Sequence, residues 1–112
     1  MININSAIKN LRKKVKYVQK GPNQTCVVGF KNSYHISILL HDEFNKDDRL
    51  RYCDKDSCEI APLNQGWGLY PFPINQKDVH THLKAVGISC DQVKGYVTQE
   101  ELALIMKTIS RF

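Results

Sequence analysis

The residues best equipped for chemistry are four cysteines, Cys26, Cys53, Cys58 and Cys90, and four histidines, His35, His41, His80 and His82. A cysteine pair can close a disulfide, hold zinc or supply a thiolate. Cys53 and Cys58 flank a turn-length spacer, Asp54 to Ser57, so a hairpin would set them face to face. That pair suits a disulfide in an oxidising compartment. It is a poor zinc pair, because zinc knuckles present CxxC and no second pair follows. If a metal bound, Cys53 and Cys58 would be its ligands, with His41 and Cys90 the first partners to add. The N-terminal residues Met-Ile-Asn-Ile-Asn lack the apolar core of a secretory signal. The expectation is therefore a cytoplasmic chain with reduced thiols and no metal or other cofactor.

The histidines do not pair. His35 and His41 lie six positions apart, about 20 Å along an extended strand. His80 and His82 point about 200° apart on a helix. Neither arrangement makes a two-histidine acid–base site. GxSxG, HExxH and Walker-type phosphate loops are missing. Gly66-Trp67-Gly68 opens a GxGxxG-like pattern but runs into Pro71 and Pro73, and Asp54 to Cys58 opens like a calcium loop but has Glu59 where glycine is required. Asn23-Gln24-Thr25 is a glycosylation triplet that matters only in a secreted chain. No catalytic set emerges, and a non-enzymatic protein is expected.

Charge is the stronger signal. The 112 residues carry a formal net charge of +5, and its distribution is uneven. Residues 1–20 hold Lys9, Arg12, Lys13, Lys14, Lys16 and Lys20 with no acid. Residues 42–59 hold seven acids, among them Asp47, Asp48, Asp54 and Asp56, against four bases. Such a division concerns partners more than fold. Arg12, Lys13 and Lys16 are candidate contacts to an acidic partner or to nucleic acid phosphates, and Asp47, Asp48, Asp54 and Asp56 to a basic one. Membrane-surface association is the weakest reading, because the N-terminal apolar stripe has no Trp or Phe. Trp67, Tyr70 and Phe72, between glycines and prolines, form an aromatic stretch of the kind that anchors interfaces, or else fills the core.

The elements that must position these residues fit one domain over 1–112. Ile4, Ile8, Leu11, Val15 and Val18 recur at spacings of 4, 3, 4 and 3. That spacing predicts an amphipathic helix capped by Asn3 or Asn5, with the cations opposite, ended by Gly21-Pro22. Cys26 to Phe30 and Tyr34 to His41 read as a hairpin around Lys31-Asn32-Ser33, with Tyr34, Ile36, Ile38 and Leu40 on its core face. Leu50 to Cys53 and Cys58 to Ile60 suggest a second hairpin. Thr98 with Glu101 is a capping box that opens a last helix burying Leu102, Ile105, Met106 and Ile109. The fold class is α+β: an N-terminal helix, an antiparallel sheet of three to four strands and a C-terminal helical segment. No apolar run approaches the roughly 20 residues of a transmembrane helix.

Between these elements, Leu83, Val86, Gly87, Ile88, Val93 and Tyr96 follow the packing pattern of two helices joined by a glycine turn. The segment 75–98 resembles the helix-turn-helix of bacterial transcription regulators. It departs from that family in having Leu83 where a small residue is preferred and Gly95 inside the second helix. The resemblance implies DNA contact through Ser89, Cys90, Asp91, Gln92 and Lys94.

Two functions follow as expectations. The first is a small cytosolic protein that binds and blocks or modulates another macromolecule, most readily a protein, as immunity proteins, antitoxins and phage-encoded inhibitors do. The second is a nucleic-acid-binding regulator that uses the basic N-terminal segment and the element at 75–98.

Overall fold

The computed structural model describes residues 1–42, 52–63 and 93–111. Five strands form one antiparallel sheet in sequence order: β1 (Val15–Lys20), β2 (Thr25–Phe30), β3 (His35–Leu39), β4 (Cys58–Leu63) and β5 (Lys94–Val97). A short helix α1 (Ile4–Ala7) and a 3₁₀ turn (Lys9–Leu11) precede the sheet, and α2 (Gln99–Ile109) follows it. The fold is thus mixed α+β, with five strands where three to four were expected.

The central hairpin forms as its alternation predicts. Cys26 pairs with Ile38 and Val28 with Ile36, and β4 continues the row with Ile60 opposite Ile38. Paired residues in an antiparallel ladder share a face, so these side chains make one apolar surface. The helix α2 closes it: Leu102, Ile105, Met106 and Ile109 are buried at a spacing that keeps them on one side. Burying four such side chains contributes on the order of 6–12 kcal/mol before chain entropy is counted. The capping box at its start is complete, with Thr98 Oγ1 accepting from the Glu101 amide at 3.2 Å and Glu101 Oε1 accepting from the Thr98 amide at 3.3 Å.

The N-terminal helix does not run to Lys20. Only Ile4–Ala7 is α-helical, and Val15–Lys20 is the edge strand β1. Ile8 is buried, while Ile4, Leu11 and Val15 pack against the core as the stripe requires. The register slips between Val15 and Tyr17, so Val15 faces Phe30 and Val18 faces Val28. That bulge puts two residues three apart on the same side of a strand, which imitates helical spacing. Four residues cannot hold a helix alone. Here α1 is tied to α2 by a reciprocal pair: the Asn3 amide donates to Gln99 Oε1 (2.7 Å) and Gln99 Nε2 donates to the Asn3 carbonyl (2.9 Å). Gly21-Pro22 ends a strand rather than a helix, and Asn23 and Gln24, both at positive φ, carry the chain back into β2.

The other edge differs from expectation too. Lys94–Val97 is β5, not the end of a helix, so the helix-turn-helix pattern fails there; its remainder, 75–92, lies outside the described residues. β5 is also bulged, with Lys94 opposite Ile60 and Val97 opposite Cys58. Tyr96 sits at φ 52, an uncommon conformation for an aromatic residue. Its amide donates to the Tyr52 carbonyl at 2.7 Å, so the segment at Tyr52 lies against β5. Tyr52 and Cys53 are not in a strand, and the second predicted hairpin is replaced by pairing of β4 with β3 and β5.

Gly95 makes that cover possible. A Cβ there would meet Tyr52 Cβ at 2.4 Å and its carbonyl oxygen at 3.0 Å. Gly95→Ala is therefore expected to destabilise the protein by about 1–3 kcal/mol. Thermal denaturation of the variant against the parent measures this.

Candidate functional site: a basic end

Arg12, Lys13 and Lys14 are held where β1 begins, at one end of the sheet. The Lys14 amide donates to the Leu11 carbonyl (2.8 Å) and the Lys14 carbonyl accepts from the Lys31 amide (2.8 Å), which fixes the turn between the 3₁₀ segment and β1. Arg12, Lys13 and Lys14 project from this turn, and all three are exposed. Lys16, at the bulge, and Lys20, at the far end of β1, are exposed as well. Residues 1–41 contain seven cations and no carboxylate side chain.

Behind the turn, a groove of about 480 Å³ runs between the N-terminal segment and α2. Ala7, Leu11 and Ala103 contribute apolar surface, and Lys14, Lys107 and Arg111 supply charge; among the described residues no carboxylate lines it. Sequence reasoning missed Lys107 and Arg111, because each is an ordinary cation at the end of a helix, where it suits the macrodipole. Only the contact of α1 with α2 brings them to Lys14. Among the described residues none of Arg12, Lys13, Lys14, Lys16, Lys107 and Arg111 forms an ion pair.

The described acids are placed differently. Asp54 Oδ1 accepts from the Asp56 amide (2.9 Å) and from Ser57 Oγ (3.0 Å), and these bonds, the amide first, hold its carboxyl below the usual carboxylate range. Asp56 Oδ1 lies 3.1 Å from the Met1 amino group in an exposed pair, a weak interaction. Glu59 accepts from the Tyr52 amide at 3.1 Å, and Glu101 caps α2. Asp47, Asp48, Trp67, Tyr70 and Phe72 lie outside the described residues.

A second groove, about 390 Å³, is lined by His41, Asp42, Asp54 and Ser57 among others, but by neither Cys53 nor Cys58. Ser57 Oγ donates to Asp54 and accepts from the Asp54 amide at 3.1 Å, so its hydroxyl braces a turn instead of facing a base. Cys26, Cys53 and Cys58 are in no disulfide. Burial, then the neighbouring Cys53 and Glu101, push the Cys58 thiol up to about 12, where it is inert as a nucleophile. Among the described residues no group of three or more His, Cys, Asp or Glu side chains is gathered to hold a metal ion.

The outer face of the sheet carries one further polar contact. Tyr17, Gly29 and His35 lie in a row across β1, β2 and β3. Gly29 has no Cβ to obstruct the Tyr17 ring, so the phenol reaches His35 Nδ1 at 2.9 Å. His35, on the face opposite Tyr34 and Ile36, is nevertheless buried. Burial and, second, the charge of Lys16 lower its pKa from the ordinary 6.5.

No family model, characterised protein or solved structure matches the chain. Among the described residues no helix is long and apolar enough to cross a membrane.

Two outcomes follow from the buried groups. Native alkylation should label Cys53 well before Cys58 and Cys26, read by mass spectrometry of peptides. Because the fold lowers the His35 pKa, the unfolded chain takes up this proton at a higher pH than the folded one does. Stability should therefore fall as pH drops below about 6.5 and level off below the folded pKa. Urea denaturation at stepped pH checks this, and His35→Gln should flatten the His35 part of the profile.

Proposed function

We propose that this protein acts in the cytoplasm by binding and blocking or modulating another macromolecule, an acidic protein, through its basic end. This is the kind of role that immunity proteins, antitoxins and phage-encoded inhibitors play, and it is non-catalytic. The observation that carries the reading is the groove between the N-terminal segment and α2: among the described residues it has three cations, no carboxylate and an apolar floor. Cations without internal partners keep their charge available for an incoming carboxylate, and charge of one sign raises the encounter rate with an opposite surface. The apolar floor favours a protein segment, which brings side chains to bury, over a bare phosphate backbone. The acidic turn is the weaker candidate surface, because Asp54 is already engaged by its own turn.

A second reading, nucleic acid binding, is favoured by one observation: residues 1–41 offer seven cations and no acid to repel phosphates. It no longer draws on a helix at 94–97, which is a strand.

Binding of a fluorescent poly-glutamate peptide and of duplex and single-stranded oligonucleotides, measured by anisotropy between about 50 and 200 mM salt, separates the two. The protein reading expects peptide binding that the combined variant Lys14→Glu, Lys107→Glu, Arg111→Glu weakens at least about tenfold. Oligonucleotide binding with a steep salt slope and no peptide binding would move the assignment to nucleic acid. No binding of any probe at low salt would overturn both.

A further inference from the structure

The two edges of the sheet are not equivalent. At β5 the Tyr96 amide is taken by the Tyr52 carbonyl, and Gly95 lets that segment lie against the strand. Among the described residues nothing pairs with the outer side of β1. The Gly21 amide donates to the Thr25 carbonyl, which makes Gly21 and Thr25 a hydrogen-bonded pair. By alternation Gln19 with Val27 and Tyr17 with Gly29 are the next such pairs. The N–H and C=O groups of Val18 and Lys20 therefore point away from β2. Past the bulge, pairing is regular from Tyr17 to Lys20, and Val18, Gln19 and Lys20 are exposed.

We propose that the edge of β1 is a strand-addition site that takes an extended acidic segment of the partner protein. This rests on the basic-end reading and specifies how recognition occurs: backbone bonds to Val18 and Lys20, with carboxylates set against Lys16, Lys20 and the adjoining Arg12 and Lys13. Charge decides the occupant. If a second copy of this chain paired antiparallel about Val18, Lys16 of each copy would lie opposite Lys20 of the other, and like charges directly opposed destabilise a ladder. A neutral strand leaves the lysines without partners. An acidic strand satisfies both the backbone and the charges. Val18, 38% exposed on the rim of the core face, gives such a strand an apolar contact.

The test uses the full chain and a short capped peptide of alternating valine and glutamate. Two further peptides carry N-methyl groups on alternate residues, one in each phase, which removes backbone donors and leaves charge unchanged. Isothermal titration should show the parent peptide bound at low salt and at least one phase weakened about tenfold or more, from losing a few backbone bonds. Val18→Pro removes an outward N–H without touching the bonds to β2, and an edge strand tolerates proline. It should weaken the parent peptide similarly while thermal unfolding stays near that of the parent protein. If Val18→Pro disrupts folding, the methylated peptides still decide. Equal binding of all three peptides would overturn strand addition and leave the basic-end reading standing. No peptide binding would remove both. A concentration-dependent dimer, seen by sedimentation and abolished by Val18→Pro, would assign the edge to a second copy and overturn the acidic partner.

Discussion

The structure depends on one packing contact: the apolar face of the sheet closed by α2. Leu102, Ile105, Met106 and Ile109 meet the row built from Val28, Ile36, Ile38 and Ile60, and each of these residues is almost fully buried. Among the described residues, the eleven-residue α2 is what covers the middle of the sheet. The margins are completed by the N-terminal segment, held to the helix start through Asn3 and Gln99. That attachment carries Lys14 to the flank of α2 beside Lys107 and Arg111. The basic groove is thus a by-product of how the core is closed, since no local sequence feature places those three cations together.

Both edge strands are bulged, and the bulges have different consequences. At β5 the one extra residue leaves Tyr96 in a left-handed conformation, which costs of order 1–3 kcal/mol, and the surrounding structure must hold it there. The bond to the Tyr52 carbonyl and the fit over Gly95 do so. At β1 the extra residue is Lys16, which stays exposed, and the strand beyond it resumes regular pairing with β2. At one margin Tyr52 binds the bulged strand, and at the other the strand is lined with cations.

The parts of the fold that were legible in the sequence are those where local pattern and tertiary role agree. Ile36 and Ile38 alternate with Ser37 and Leu39 because one face of β3 meets the core. Thr98 with Glu101 marks a helix start because those two side chains satisfy amides that the helix leaves open. The N-terminal segment misled because the bulge at Lys16 gives Val15 and Val18 a spacing of three on one face, the mark of a helix. Strand-forming Val15, Tyr17 and Val18 were the contrary signal, and it is pairing with β2 that gives them weight. Tyr96 misled because a glycine–tyrosine step reads equally as a helix end. Of the candidate contacts, Arg12, Lys13 and Lys16 were visible through their charge, whereas Lys107 and Arg111 join them only through the packing of α1 on α2.

Lysines on an exposed strand edge are usually read as protection against unwanted pairing. Protection and recognition are compatible when specificity is viewed as a difference between partners. A cationic edge rejects a second copy of itself and penalises a neutral strand, while an acidic strand gains from the same charges. The arrangement here supplies the conditions for that difference. Of the described acids, Asp54 is engaged by its turn, Glu59 by the Tyr52 amide and Glu101 by the cap and Lys94, so these three are not directed at the cations of the basic end. Among the described residues neither the outward backbone groups of the edge nor its cations are satisfied, and a partner that satisfies one without the other gains less than one that satisfies both.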